Sequence, residues 1–455
     1  MKLKNFKASV YKNILELAWP TVTEQLLIMM VGVVSTIFVG RLGTAELAAV
    51  GLINMIIMFF QSVFAGLATG STVVIARITG EGDKQKARTA LMQSLLIGIV
   101  SGLAITIPGY IFATPILKVF FTGAEANVLA IGLQYYKIVL IGLPFLVVDL
   151  VVAGAVRGSG DTRSPLYITF IVNIINTILS GLLIFGVSVN GHSLMPAYGI
   201  TGAAIAVMVA RISGGVLRVL AIYFLEGRIN LSVKDPFRPD FEMLRRIINV
   251  GLPAFLEQFI MQGGFLAMQV MIVSMGTAQL AAYQIGVNVN SFAFMPTFGF
   301  AIAATTMVGQ SLGSQNYEEA EVYASKINIF AVVAITCIGI LTFTFARPLA
   351  SLYSTDTTVI GISTFIIWIF AFLDPFIGSL QVNAAVLRAA GDIKYVMVSG
   401  LMGLWLFRIL ISYLLNRWFG LGVYGVMIGV AGDFCIRTLM YGLRVKAGHW
   451  KTLKV

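Results

Sequence analysis

The chain has 455 residues, of which 58% are hydrophobic and 11% charged, and its mean hydropathy is +0.91. A soluble globular protein carries about 25% charged residues, so this composition excludes the soluble classes. The net charge of +11 does not indicate a nucleic-acid partner, because the basic residues lie in short loops with no patch that combines basic and aromatic side chains. The composition therefore indicates a protein embedded in a lipid bilayer.

Twelve apolar segments follow one another along the chain, and each is long enough to cross a bilayer as a helix. We predict spans 1 to 12 at about 14–40, 47–75, 91–115, 129–155, 166–186, 199–224, 247–274, 281–308, 327–349, 360–386, 394–415 and 420–443. Helices are the expected spanning element, because they satisfy their own backbone hydrogen bonds in lipid. The predicted fold class is an all-α polytopic membrane protein.

The distribution of basic residues predicts the orientation. An even number of spans places both termini on one side, and most of the 31 lysines and arginines fall in segments on that side. The opposite loops hold four: Arg41, Lys118, Arg347 and Arg417. Because lysine and arginine in short loops stay inside, we predict cytoplasmic termini and a multi-pass protein of the cell membrane. The loop 314–326 is acidic, but acidic residues count little in this rule.

A polar connector at 226–246, with two prolines and alternating charge, is predicted to link two halves. It separates an N-lobe, residues 1–225 with spans 1–6, from a C-lobe, residues 247–455 with spans 7–12. We expect this linker to be cytoplasmic.

The two halves repeat each other. A shift of 233 residues places WPTVTEQ of span 1 on LPAFLEQ of span 7, so that Glu24 coincides with Glu257, and it places Gly80 on Gly313. A shift of 231 residues places AVRGSGDT on VLRAAGDI. Since each half holds an even number of spans, both face the same way. We therefore predict two parallel, pseudo-symmetric six-helix lobes that alternate access to a cavity between them.

Five carboxylates lie inside predicted spans, where a charged side chain costs about 2.5–3.5 kcal/mol on insertion scales. They are Glu24, Asp149, Glu257, Asp374 and Asp433. We predict that the first four couple transport to a cation, and that Asp433 forms a local pair with Arg437, four residues later. The alternative is that these acids pair with basic residues inside the spans. The available basic residues are Lys137, Arg211, Arg218 and Arg408.

Spans 7, 8 and 10 carry further polar groups. Asp374 precedes Pro375, which frees a backbone carbonyl and so creates a place for a sodium ion or a proton. A transient Na+ is expected at Glu257 and Asp374, with no resident metal or cofactor. The substrate cavity is predicted to be lined by polar, methionine and aromatic side chains of spans 7 and 8, which suit promiscuous binding. These are Gln258, Met261, Gln262, Phe265, Gln284 and Asn288.

The repeated turns at the ends of spans 4 and 10 are interpreted as structural or gating contacts of Arg157, Asp161, Arg388 and Asp392. They lack the spacing of a phosphate-binding loop, and the sequence contains no HExxH or GxSxG run. The only histidines are His192 and His449. We therefore predict that the protein is not an enzyme.

Together these motifs resemble the multidrug and toxic compound extrusion (MATE) transporters over nearly the whole chain. The resemblance rests on TIFVGRLGTAELAAVG at 36–51, SMGTAQLAAYQIG at 274–286 and the paired RGSGDT and RAAGD turns. It implies an antiporter that exports amphiphilic, mostly cationic organic compounds in exchange for Na+ or H+. One type of family member uses an aspartate where this chain has Ser35, and another uses acids in spans 7 and 10, here Glu257 and Asp374.

One alternative transport function remains open at this point. A flippase for lipid-linked saccharides, from the same broad superfamily, would need a more basic cavity to hold phosphate. A two-lobed transporter can work alone, so we expect a monomer whose partners are small organic molecules and the bilayer.

Overall fold

The computed structural model describes residues 2–121, 125–189, 192–224, 227–232 and 238–453, and most of them are helical. Residues 226 and 233–237 of the predicted linker lie outside the described residues. The α-helices are α1 (Lys2–Gly40), α2 (Thr44–Glu81), α3 (Lys84–Ile111), α4 (Ala113–Phe120), α5 (Ala126–Ile141), α6 (Leu143–Gly158), α7 (Arg163–Phe185), α8 (Gly199–Phe224), α9 (Phe241–Val273), α10 (Thr277–Gly313), α11 (Tyr317–Thr344), α12 (Ala346–Ser351), α13 (Thr357–Ala390), α14 (Ile393–Leu401), α15 (Ile411–Phe419) and α16 (Val423–Lys446).

Three short elements complete the described chain. A π-helical stretch, Met402–Leu410, joins α14 to α15 without a break, and a 3-10 turn, His449–Thr452, follows α16. Between α7 and α8, the strands β1 (Val187–Val189) and β2 (His192–Met195) form one antiparallel hairpin. The all-α prediction holds for the spans themselves, and the hairpin is an addition to it.

Within the described residues, eleven helical segments are long and apolar enough to cross a membrane, with Ile393–Phe419 taken as one. The pair α5 and α6, bent by 48°, makes a twelfth span if the two are counted together. This confirms a multi-pass helical membrane protein with the predicted number of spans.

The predicted span 129–155 is not one straight helix in the structure, because α5 ends at Ile141 and α6 begins at Leu143. Pro144 has no amide hydrogen with which to continue the helical ladder, so the chain breaks there. The guanidinium of Arg211 on α8 donates to the carbonyl oxygen of Val139 at 3.4 Å, next to the break. Arg211, available in sequence as a partner for an acid, thus contacts a backbone carbonyl.

The chain divides into two compact units. The first comprises Met1–Val22, Ala76–Gly82 and Leu252–Val455, and the second comprises Thr23–Ile75 and Asp83–Gly251. Each contains most of one predicted lobe, while α1, α2 and α9 contribute residues to both units. The lobe boundaries 1–225 and 247–455 stay a prediction.

Glycines bring α2 and α10 together inside the first unit. A Cβ atom on Gly80 would collide with the backbone of Gln310, and one on Gly313 would collide with the backbone of Arg77. Gly80 and Gly313 are the pair that the 233-residue shift superimposes. The two helices therefore approach backbone to backbone at equivalent points of the repeat.

The C-terminal turn is packed within the first unit. Trp450 is 1% exposed, and its indole nitrogen donates to the carbonyl of Val445 at 2.8 Å. Arg77 donates to the carbonyls of Leu453 at 3.0 Å and Ala390 at 2.8 Å, so one side chain joins the chain terminus to the end of α13.

Candidate coupling site in the membrane

Glu24 lies on α1 and is 2% exposed. Its Oε1 accepts from the guanidinium of Arg157, at the end of α6, at 2.7 Å and from the hydroxyl of Thr169, on α7, at 3.0 Å. A buried carboxylate requires such compensation, because removing a charge from water is expensive. Glu24 is therefore held as a buried ion pair of the second unit.

Glu257 has the same arrangement in the first unit. Nη2 of Arg388, in the last turn of α13, lies 2.6 Å from Oε1 of Glu257, and Nε lies 3.4 Å from Oε2. Arg157 and Arg388 were predicted as gating or structural turn residues and not among the partners available to the acids. Both glutamates and both arginines were already visible as repeat pairs, so the signal for these ion pairs was present in the sequence.

Two further acids also pair with arginine. On α6, Asp149 accepts from Arg218 of α8 at 2.7 Å, and Arg218 is 2% exposed. On α16, Asp433 contacts Arg437, as the sequence indicated, and also Arg408 of the π-helical stretch at 2.7 Å. Arg218 and Arg408 thus do pair with intramembrane acids.

Asp374 is different. It is fully buried on α13, and its Oδ1 accepts from the side-chain amide of Asn290, on α10, at 3.2 Å. Its Oδ2 has no hydrogen-bond partner among the described residues, and no described basic side chain forms an ion pair with it. Of the five intramembrane acids, it alone has no arginine in the part of the chain that the structure describes.

A glycine and a proline border this carboxylate. Gly339 of α11 faces it so closely that a Cβ atom there would lie 2.8 Å from Oδ2 of Asp374 and 3.1 Å from the carbonyl oxygen of Ala371. Pro375 lacks the amide hydrogen that would bond this carbonyl in a regular helix. Two oxygens with unfilled bonding capacity therefore lie beside the same glycine.

Glu257 and Asp374 make their contacts at different points along α13. Glu257 contacts Arg388, which follows Asp374 by fourteen residues on the same helix. At 1.5 Å per residue this places the two positions about 21 Å apart along α13. The transient Na+ expected at Glu257 and Asp374 stays a prediction.

The residues predicted to line the substrate cavity lie on α9 and α10. On α9, Gln258, Met261 and Gln262 are half-buried and Phe265 is exposed. On α10, Gln284 and Asn288 are both exposed. The guanidinium of Arg408 stands over the Phe265 ring, 5.6 Å from its centroid. Their role in binding stays a prediction.

The turn residues Asp161 and Asp392 are engaged locally. Oδ1 of Asp161 accepts from the backbone amides of Arg163 at 3.1 Å and Ser164 at 3.0 Å, at the start of α7. Asp392 pairs with Arg444 of α16 at 2.7 Å. These contacts fix the turns, while a gating role stays a prediction.

The sequence matches the model of the MatE family twice, over residues 20–182 and 253–414. The two matches begin 233 residues apart, the shift at which the chain repeats itself. A Thermotoga maritima protein named "Probable multidrug resistance protein NorM" is 28% identical, with 97% of this chain and 93% of the relative covered. The "Uncharacterized transporter YisQ" of Bacillus subtilis is 24% identical over 99% of both chains.

Solved structures share the fold. One, described as the outward-facing conformation of a multidrug resistance MATE family transporter, superimposes with a TM-score of 0.88 at 22% identity, covering 97% of both chains. A transporter of the MOP superfamily from Pyrococcus furiosus superimposes with a TM-score of 0.86 at 22% identity, covering 96% of both. Since the family model covers well over half of the sequence in two repeated blocks, this chain belongs to the MatE family of multidrug and toxic compound extrusion transporters.

Proposed function

We propose that this protein is a secondary active antiporter that exports amphiphilic, mostly cationic organic compounds in exchange for Na+ or H+. Membership of a transporter family supports a transport function, and relatives named as multidrug resistance proteins support organic cargo. Alternating access by two similar halves agrees with the repeat in the sequence.

The observation that carries the coupling proposal is the uncompensated carboxylate of Asp374. A coupling group must gain and release a cation in each cycle. Three of the acids already accept a hydrogen bond from an arginine at 2.6–2.7 Å, namely Glu24, Asp149 and Glu257. An incoming ion would have to compete with that arginine, and breaking a buried pair leaves an unpaired charge. Asp374 has no such competitor among the described residues. Of these acids, it is therefore the one at which binding a cation should release the most free energy.

The surroundings of Asp374 suit a small cation. Oδ2 of Asp374 and the carbonyl oxygen of Ala371 both lie beside Gly339. Hard cations prefer oxygen ligands, and a proton needs only the carboxylate itself. We therefore propose that Asp374 binds the coupling ion, with the Ala371 carbonyl as a second ligand when that ion is Na+.

Ethidium export from a pump-deficient bacterial strain tests this proposal. We expect Asp374→Asn to abolish export at equal expression, because an amide carries no charge to exchange. Glu16→Gln is the matched control, since it removes an exposed carboxylate. Oε1 of Glu16 lies 3.9 Å from Nζ of Lys12, which is also exposed. Export by the wild type that requires Na+ would identify the ion, and export that persists without Na+ but collapses with the proton gradient would identify H+.

The outcome also separates Asp374 from the paired acids. Full export by Asp374→Asn, combined with loss in Glu257→Gln, would refute the assignment and place coupling at the Glu257–Arg388 pair. A wild type that moves no ethidium but moves a lipid-linked saccharide would instead favour the flippase alternative.

A further inference from the structure

A cavity of about 590 Å³ lies in the second unit, where the first turns of α3 meet the chain that precedes α9. Its volume is in the range of sites that hold small molecules. The lining residues are Lys84, Gln85, Arg88, Thr89, Met92, Gln93, Leu231, Arg238, Pro239 and Asp240. The proposed export function makes no use of this cavity.

The cavity is basic. Lys84, Arg88 and Arg238 line it together with one carboxylate, that of Asp240. All three basic side chains are exposed, and none forms an ion pair with an acid in the part of the chain that the structure describes. Asp240 accepts from the backbone amide of Met243 at 3.0 Å, which caps the start of α9. The positive charges therefore outnumber the negative ones, and the single acid is already engaged.

The repeat shows that these charges are specific to one half. The 233-residue shift places Lys84 on Tyr317 and Arg88 on Glu321. The first turn of α11 contains Glu318 and Glu319, which the helix dipole favours at an N-terminus, whereas the first turn of α3 has no acidic residue. Basic residues at the start of α3 oppose this local preference, and such departures mark functional positions.

The chain before α9 is fixed against α3. Gln93 is 1% exposed, and its amide nitrogen donates to the carbonyl oxygen of Arg238 at 2.9 Å. Leu231 is buried, and its backbone amide donates to the carbonyl of Ile222, on α8, at 2.8 Å. These contacts hold Arg238 at the cavity from a position 145 residues beyond Gln93. The basic side chains are thus assembled by tertiary contacts.

We propose that this cavity binds a phosphate-bearing anion through Lys84, Arg88 and Arg238. Lysine and arginine are the side chains that bind phosphate. Lys84 and Arg88 lie in the first turns of α3, on the side predicted to be cytoplasmic, where we expect the lipid headgroups. The phosphate comes either from an anionic lipid of that leaflet or from a soluble phosphate compound.

The test uses purified full-length protein in detergent micelles. Native mass spectrometry measures retention of phosphatidylglycerol against phosphatidylcholine, and thermal unfolding measures the effect of inorganic phosphate against chloride at equal ionic strength. The variant Lys84→Gln/Arg88→Gln/Arg238→Gln is compared with Arg228→Gln/Arg245→Gln/Lys394→Gln, which removes three exposed basic residues outside the cavity. Gln93→Leu keeps every charge but removes the hydrogen bond that holds the backbone carbonyl of Arg238 at the cavity.

We expect the cavity variant to lose binding by about 100-fold, at roughly fivefold for each basic residue, while the control variant binds like the wild type. Gln93→Leu is expected to weaken binding by roughly fivefold, which is the loss expected from removing Arg238 alone. Retention of phosphatidylglycerol without an effect of inorganic phosphate identifies the lipid as the source. Stabilisation by inorganic phosphate identifies a soluble compound. Equal losses in the two triple variants, or no preference for either phosphate-bearing probe in the wild type, would overturn the proposal.

Discussion

Arg388 donates to both carboxylate oxygens of Glu257, at 2.6 Å from Nη2 and 3.4 Å from Nε. At the equivalent position of the repeat, Arg157 donates to Glu24 at 2.7 Å. What the chain contains twice is therefore an ion pair between a glutamate in one helix and an arginine at the end of another. Both pairs are largely buried, which makes each partner dependent on the other.

This dependence can be measured with a double-mutant cycle. Glu257→Gln or Arg388→Gln alone is expected to lower the free energy of unfolding by roughly 3 kcal/mol, because each leaves a buried charge unpaired. The double variant should cost less than the sum of the two by about 1–3 kcal/mol. Denaturant unfolding of the purified protein in detergent gives these values. Strict additivity would show that the two side chains do not interact.

Asp374 is expected to reduce stability while serving transport. Its buried carboxylate has one hydrogen bond and no basic partner among the described residues. Asp374→Asn removes the cost of burying that charge and keeps an oxygen that can accept the hydrogen bond from Asn290. We therefore expect the free energy of unfolding to rise by about 1–2 kcal/mol. Asp149→Asn, which breaks an ion pair, serves as the comparison and should destabilise. A destabilised Asp374→Asn would indicate a stabilising partner for this carboxylate.

The crossing of α2 and α10 should not tolerate a side chain. Gly80→Ala and Gly313→Ala each place a methyl group against backbone of the other helix, and overpacking of this kind costs about 1–3 kcal/mol. Gly361→Ala is the control, because nothing lies within 4 Å of a Cβ atom at that position of α13. Melting temperatures of the three variants in detergent check this expectation. Equal melting temperatures would show that the helices do not approach so closely.

Trp450 should anchor the C-terminal turn. Replacing a buried tryptophan by alanine removes its packing and leaves a cavity, so Trp450→Ala is expected to cost about 3–5 kcal/mol. Trp418→Ala, at a side chain that is 70% exposed, should change stability far less. Limited proteolysis adds a second measurement, since cleavage after the end of α16 should accelerate only in the Trp450 variant. Unchanged cleavage and stability would contradict the observed docking.

The sequence predicted the helical fold well because its signals are local. Long apolar runs define spans, and the 233-residue repeat exposes the duplication that the family model also matches. The break at Gly142 was missed, although Pro144 and Gly142 were visible, because a mean over an apolar window does not register one missing hydrogen bond.

The candidate site depended on contacts between distant residues. The sequence places five acids in predicted spans. Because a charged side chain is costly in lipid, each of the five requires a structural or functional explanation. The local sequence does not show which of Glu257 and Asp374 is paired with an arginine, because the arginine that compensates Glu257 is 131 residues away. The sequence by itself thus determined the spans, the repeat and the family. Only the tertiary structure decided which of these carboxylates are paired with an arginine and which one, among the described residues, is not, since the electrostatic state of a buried charge is set by the groups that folding brings within hydrogen-bond distance.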